Sequence, residues 1–268
     1  MSRRKKIRPP HIPPHYAKNG GRYPLSPDAK FIAGPFPRLK EVFQVIRIGL
    51  EFIKGFRVFH FVGPAITVFG SSRLNPNSKF YEIGRQVGQE IAKLGFTVFT
   101  GGGPGVMEAA NRGAIEVGGR SVGANIVLPH EQTTNDYLHE SVTFKYFFVR
   151  KAMLIKYSYA FVILPGGYGT MDEAFEALTL ISTGKLKEFP VIFIGKEYYQ
   201  GLFNWIRDVL LKNGSIDEDD LDRVHLTDDL EELKSIILES TSCFNLGLCS
   251  PPTIERGKVT NEKNPLSL

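Results

Sequence analysis

Residues 65–103 read AITVFGSS at 65–72, FYEIGRQVGQEIAKLG at 80–95 and FTVFTGGG at 96–103. Two short apolar runs without polar alternation flank an amphipathic segment of helical period, so the pattern predicts strand, helix, strand. The rhythm continues toward the carboxyl end. A helix is expected from about Gly105 to Val117, a strand at SVGANIVL, an irregular stretch from Pro129, and a strand near VTFKYFF. Then come a helix through RKAMLIKYS, the strand AFVIL, a helix from Thr170, the strand PVIFIG, and helices near Leu202 to Lys212 and Leu230 to Leu238. Apolar strands separated by helices require a parallel sheet covered on both faces. The expected class is α/β: a doubly wound, Rossmann-like parallel sheet, a single domain with an N-terminal arm and helix.

Toward the amino end, Leu39, Val42, Phe43, Ile46, Leu50 and Ile53 recur at spacings of three and four, which predicts an amphipathic helix from Arg38 to about Phe56. Its stripe is expected to pack on the domain or on a second subunit. Residues 1–37 form a basic, Pro-rich arm, 38–63 the helix and its connection, 64–240 the nucleotide-binding domain and 241–268 a tail. The formal charge of +5 is concentrated in the arm: Arg3, Arg4, Lys5, Lys6, Arg8, Lys18 and Arg22 precede the first acid, Asp28. The other 26 basic residues face 28 acidic ones, so the body is not a polyanion-binding surface by charge, and nucleic acid is not an expected partner. No apolar run approaches the roughly 18 residues that span a bilayer. Cys243 and Cys249 lie in the tail without a CxxC spacing or a neighbouring His, which excludes a recognisable metal set and fits free thiols in a reducing cytoplasm.

In a doubly wound sheet the ligand crevice lies beyond the carboxyl ends of the strands. Three loops there are rich in small residues: GSSR at 70–73, with Gly70 and Ser71; GGGPG at 101–105, with Gly103; and PGGYGT at 165–170, with Gly166, Gly167, Tyr168, Gly169 and Thr170. Glycine lets a ligand approach the backbone, and the following helix start offers unpaired N–H groups, a setting for phosphate. The third position of a GxGxxG counted from Gly101 is Val106 and from Gly167 is Asp172, which disfavours a dinucleotide. No GxxxxGK[ST] is present. A nucleoside monophosphate is the simplest guest.

Glu173 invites two readings. With Thr170 it forms T-x-x-E, a capping box. Alternatively, a carboxylate above a phosphate cradle can face the sugar, stabilise charge at the anomeric carbon and activate water. Arg150 and Lys151 stand near a helix start, where they work against the dipole unless an anion or a carboxylate compensates them; the alternative is a solvated pair beside Phe147 and Phe148. Glu108 and Asn111, one turn apart, could read sugar hydroxyls, or Glu108 could be an ordinary first-turn acid.

The segments GGGPGVMEAAN, FFVRKAML and LPGGYGTMDE, in that order, resemble the LONELY GUY (LOG) proteins, cytokinin riboside 5′-monophosphate phosphoribohydrolases long labelled "possible lysine decarboxylase". The resemblance covers roughly residues 64–235. It implies a Rossmann-like enzyme without cofactor or metal. The implied reaction is hydrolysis of a nucleoside 5′-monophosphate to free base and ribose 5-phosphate, as in an AMP nucleosidase. It makes Arg150 and Glu173 the catalytic pair and sets the PGGYGT backbone on the phosphate. Gly70, Ser71, Met107, Glu108, Lys151 and Thr179 would line the rest of the pocket. The long arm and helix resemble the larger, second type in the family, so AMP stands beside cytokinin nucleotides as substrate. The family also implies a homodimer or higher homo-oligomer. The runner-up is a non-catalytic carrier similar to the molybdenum cofactor carriers of the same superfamily. No lysine occupies a recognisable pyridoxal phosphate setting, which speaks against the decarboxylase label.

Overall fold

The computed structural model describes residues 26–32, 36–128, 134–186 and 190–241. The expectations for the arm before Ser26, for residues 129–133 of the stretch beginning at Pro129 and for Cys243 and Cys249 lie outside the described residues; the rest of that stretch, 134–139, is irregular as expected. The chain opens with α1 (Pro27–Ile32) and α2 (Arg38–Phe59). Six crossovers follow: β1 (Ala65–Phe69), α3 (Lys79–Lys93), β2 (Thr97–Thr100), α4 (Val106–Glu116), β3 (Ser121–Ile126), β4 (Glu140–Phe144), α5 (Phe147–Lys156), β5 (Ser158–Ile163), α6 (Tyr168–Ser182), β6 (Val191–Ile194), α7 (Lys196–Trp205), β7 (Val224–Thr227) and α8 (Leu230–Ser240). All seven strands join one sheet in the order β4-β3-β2-β1-β5-β6-β7, and every pairing is parallel. The α/β, doubly wound class is the observed one.

The unbroken apolar character of the strands follows from burial on both faces. Every residue of β1, β2 and β6 is buried. Ala65, Phe69, Phe99, Phe161 and Phe193 pack with Phe59 of α2, Met153 of α5 and Ala174 of α6. Their alternates Ile66, Val68, Val98, Val162 and Ile192 pack with Val87 of α3, Ala110 of α4 and Leu233 of α8. Each such large side chain contributes roughly 1.5–3 kcal/mol of transfer free energy. On the second face α3 and α4 approach through glycine: a Cβ on Gly88 would lie 2.0 Å from the Ala110 carbonyl oxygen, and one on Gly113 would lie 1.9 Å from that of Arg85. Helix α3 is started by Ser78, whose hydroxyl accepts from the Tyr81 amide at 3.1 Å.

Several boundaries differ from the sequence reading. The strand expected through VTFKYFF stops at Phe144, and Phe147 already opens α5. Helix α6 begins at Tyr168 rather than Thr170. Helix α7 begins at Lys196, and the expected segment near Leu202 is its second half, widening into a π-helical turn at Ile206–Leu211. The sequence reading did not include the edge strand β7, VHLT, whose first three residues are only partly buried.

Helix α2 has two apolar faces. Ile48, Phe52 and Phe59 pack on the domain, and Gly55 sits so close to Met153 and the Phe144 ring that a Cβ would lie 2.7 Å from the sulfur. Lys54 Nζ donates to the Thr143 carbonyl at 3.0 Å, and Glu51 accepts from the Lys145 amide at 2.8 Å. The stripe singled out in the sequence points the other way. Leu39, Val42, Phe43, Ile46, Leu50 and Ile53 are 51–76% exposed, so that stripe does not pack on the domain.

The glycine contact between α3 and α4 gives a direct test. Gly113→Ala lowers the free energy of unfolding by about 2 kcal/mol or more in a urea titration, because backbone must move to admit the methyl group. Gly201→Ala, in α7 where an added Cβ meets nothing, raises it by about 0.5–1 kcal/mol.

Candidate active site

The chain winds outward from β1 through β2, β3 and β4, then returns to the opposite side of β1 as β5. Loops leaving β1 and β5 therefore diverge, and the switch point opens a crevice between them. A cleft of about 680 Å³ lies there, bounded by Gly70–Arg73 after β1, by Gly166–Met171 after β5, and by Gly101, Met107, Asn125, Arg150 and Glu173.

The loops interlock through backbone bonds. Ser71 N donates to Pro165 O and Val106 N to Ser71 O, both at 3.0 Å. Gly105, at φ 74°, lies so close to Ser71 that a Cβ would meet its carbonyl oxygen at 2.4 Å. Gly70 has no room for a Cβ beside Val106. In the last loop the carbonyls are claimed one after another. Leu164 O accepts from Tyr199 Oη at 2.8 Å, Pro165 O from Ser71 N, Gly166 O from Tyr198 Oη at 2.9 Å, and Gly167 O from the amides of Thr170 and Met171, each at 3.0 Å. The amides of Gly166, Gly167, Tyr168 and Gly169 find no acceptor among the described residues. Four donors at the positive end of α6 thus border the cleft, the arrangement that binds an anion.

Glu173 lies 4% exposed in the same cleft, and its Oε2 has no hydrogen-bond partner among the described residues. Burial pushes the carboxyl up to about 7, against the pull of Arg150 and Lys151. The capping-box reading fails: Gly167 is the N-cap, Thr170 is already the third helical residue, and no side chain caps the helix. The Gly-Gly turn lets α6 begin two residues early, which frees the carboxylate. Arg150 donates Nε to Ala124 O at 2.8 Å and crowds Gly101, where a Cβ would lie 2.3 Å from Nη2. It acts on Glu173 through space, without a direct ion pair among the described residues.

Gly70, Ser71, Met107, Arg150, Gly166, Gly167, Tyr168, Gly169, Thr170 and Glu173 are brought together around the cleft. Five other candidates do not line it. Lys151 turns to Asp172 (2.9 Å) and Glu176 (2.6 Å) on α6, so carboxylates compensate it, as one of the two sequence readings has it, but away from the cleft. Glu108 accepts from Tyr81 Oη at 2.8 Å. Asn111 accepts from Thr100 and Asn135 and donates to Ser121, and is fully buried, which keeps it from a sugar in the cleft. The Gly103 carbonyl is held from below by Asn135. Thr179 borders a neighbouring groove with Phe175 and Leu180. The sequence reading missed Arg73, Asn125, Phe147, Met171 and Tyr198 as cleft residues. Arg73 stood inside the quoted GSSR loop, whereas Tyr198 reaches the cleft from a helix that no spacing connected to it.

Fold and site define a doubly wound α/β protein whose glycine turn presents free amides beside a buried carboxylate. The chain belongs to the LOG family. The family model described as "Possible lysine decarboxylase" matches residues 107–237. An Arabidopsis thaliana relative, cytokinin riboside 5′-monophosphate phosphoribohydrolase LOG3, is 31% identical over 156 residues, 56% of this chain and 71% of its own length. The X-ray structure of TM1055, a structural-genomics target, superposes with a TM-score of 0.52 at 28% identity, covering 66% of this chain and 99% of that one. The molybdenum cofactor carrier of Chlamydomonas reinhardtii gives 0.49 at 21% identity over 67% of this chain and 99% of its own.

The buried carboxyl makes stability depend on pH. A folded pKa of about 7 against an ordinary 4.5 means that the folded state holds this proton more tightly. The associated stability is present below about 4.5 and is lost as pH rises through about 7. Glu173→Gln escapes that loss, so between pH 4.5 and pH 8 it gains on the order of 3 kcal/mol relative to wild type in urea unfolding.

Proposed function

We propose that this protein hydrolyses the N-glycosidic bond of purine nucleoside 5′-monophosphates, AMP or cytokinin riboside 5′-monophosphates, releasing free base and ribose 5-phosphate. The reading rests on one observation: a buried carboxylate with an unpartnered oxygen shares its cleft with the four unpaired amides that open its own helix. The names of the curated relatives point to the same chemistry.

In this mechanism the phosphate sits on the amides of Gly166–Gly169, which places the pentose over Glu173. As the bond from the anomeric carbon to the base nitrogen breaks, the electron pair leaves with the base. Positive charge grows on the ribosyl centre, where the Glu173 carboxylate stabilises it. Water then adds to that carbon; Glu173 takes its proton and returns it, directly or through solvent, to the nitrogen of the departing base, so one water is consumed and the carboxylate is regenerated. Arg150, fixed by Ala124 O, offsets part of the burial penalty and so lowers the pH at which Glu173 ionises. None of the described residues lining the cleft is a lysine, so they offer the decarboxylase label no support. A nucleotide substrate fits a cytoplasmic protein, and no helix among the described residues is long and apolar enough to cross a membrane.

Chromatography of AMP incubations tests this. Wild type releases adenine, with kcat rising as pH passes through about 7 as Glu173 ionises. Glu173→Gln loses a factor on the order of 10²–10⁴ in kcat while still binding AMP. Arg150→Ala moves the acid limb to higher pH, because the guanidinium no longer lowers the carboxyl. AMP that binds wild type but yields no base between pH 5 and 9 would sink the hydrolase and leave a carrier.

We also propose that a second copy covers the outer face of α2. Leu39, Ile46 and Ile53 are seven residues apart, and Val42 and Gly49 carry a second row, the repeat of a helix seam. An added Cβ on Gly49 meets nothing within 4 Å, which leaves space for a knob from a partner helix. The six residues of the stripe, with Val45 and Phe56 beside them, are 39–76% exposed, a continuous apolar face of the kind that forms stable interfaces of about 800 Å² per partner. Light scattering after gel filtration then gives a multiple of 30.0 kDa. Ile46→Glu combined with Leu50→Glu returns the mass to one copy without lowering helical content. A wild-type monomer that instead cosediments with anionic vesicles would assign the face to a membrane surface.

A further inference from the structure

Each peptide plane of the turn after β5 carries a carbonyl and the next residue's amide on opposite sides, because the unit is planar and trans. What fixes a carbonyl therefore aims the following N–H. Backbone from the β1 loop fixes Pro165 O and so orients the amide of Gly166. The first turn of α6 fixes Gly167 O and orients the amide of Tyr168. The plane between them is different. It joins Gly166 to Gly167, two residues that oppose rotation least, and its carbonyl is held by a side chain alone, Tyr198 Oη at 2.9 Å. A flip of this one plane would replace an amide with a carbonyl oxygen at the place where an anion must sit.

Tyr198 is itself braced. The amides of Gly195 and Lys196 donate to Asp228 Oδ1 at 2.8 and 3.0 Å, which fixes the start of α7. The Tyr198 ring stands edge-on to Tyr199, with centroids 4.9 Å apart, and to Phe80 of α3 at 6.4 Å. Tyr199 is buried and donates to Leu164 O at the end of β5, whereas Tyr198 is half exposed at the cleft wall.

We propose that Tyr198 is a positioning residue for the ligand's phosphate: it locks the Gly166–Gly167 peptide with the Gly167 amide toward the cleft. This rests on the phosphate assignment above but not on turnover, so binding tests it. Calorimetry is run on the full chain with inorganic phosphate, ribose 5-phosphate, adenosine and AMP. Tyr198→Phe keeps the ring and removes the hydroxyl. It is expected to weaken phosphate, ribose 5-phosphate and AMP by about five- to tenfold and to leave adenosine unchanged. In kinetics the loss appears in KM for AMP rather than in kcat. Tyr199→Phe, as comparison, lowers the melting temperature while keeping the ratio of AMP to adenosine affinity. An unchanged AMP-to-adenosine ratio in Tyr198→Phe, or an equal loss for both ligands, overturns the role of Tyr198 alone. Wild type that binds neither inorganic phosphate nor ribose 5-phosphate overturns the phosphate turn as well.

Discussion

A parallel sheet whose winding reverses between β1 and β5 cannot be closed there by its own crossovers, because the loops on either side of the reversal leave in opposite directions. The rest of the site follows from that gap. Residues after β1 and β5 must form its walls, and tight packing of the β1 loop on the loop after β2 demands residues without side chains at Gly70 and Gly105, where a Cβ would run into Val106 and Ser71, as does the β5 turn itself at Gly166, where one would run into Thr170. Glycine at these positions answers to packing first. Its consequence for chemistry is that backbone, not side chains, faces the cleft.

The helix that begins at the gap carries the second consequence. Its first amides have no intrahelical partner and leave a positive end exposed to the crevice. A carboxylate less than two turns further along the same helix is buried and costs stability, which is why its proton is held up to about 7. A buried, unpartnered acid in a well-packed helix is a local conflict, and such conflicts concentrate where a ligand resolves them.

The sequence carried the architecture because strands buried on both faces are apolar throughout and helices repeat at their own period; the run from Ala65 to Gly103 displays both. It also carried the glycine turn, since three glycines directly after a buried strand bring bare backbone to the mouth of the crevice. Boundaries were less legible. The start of α6 was misplaced because T-x-x-E imitates a cap, while the Gly-Gly step that moves the start to Tyr168 leaves no polar signature. Spacing could place Glu108 and Asn111 on one helix but could not see Tyr81 or the Thr100, Ser121 and Asn135 network that occupies them. Tyr198 was illegible for the opposite reason: its role comes from a contact 32 residues away in sequence. The outward stripe of α2 is legible as apolar from its spacing, and only packing could show that a different face meets the domain.

Charge around the carboxylate is arranged with the same economy. Lys151 is committed to Asp172 and Glu176, which flank Glu173 in sequence and would otherwise raise its proton affinity further. Arg150 is committed through Nε to Ala124, so its remaining donors and its charge stay beside the cleft without collapsing onto Glu173. Had the two formed a direct pair, the carboxylate would be stabilised in its ground state and less able to answer positive charge developing on a ligand. Separation by a backbone tether keeps the acid ionisable near neutrality and leaves its lone pairs free. An anion on the amides of Gly166–Gly169 would raise the Glu173 proton affinity again, so the helix dipole and Arg150 would act together: one would receive the anion's charge, the other would hold the carboxylate charge a turn away.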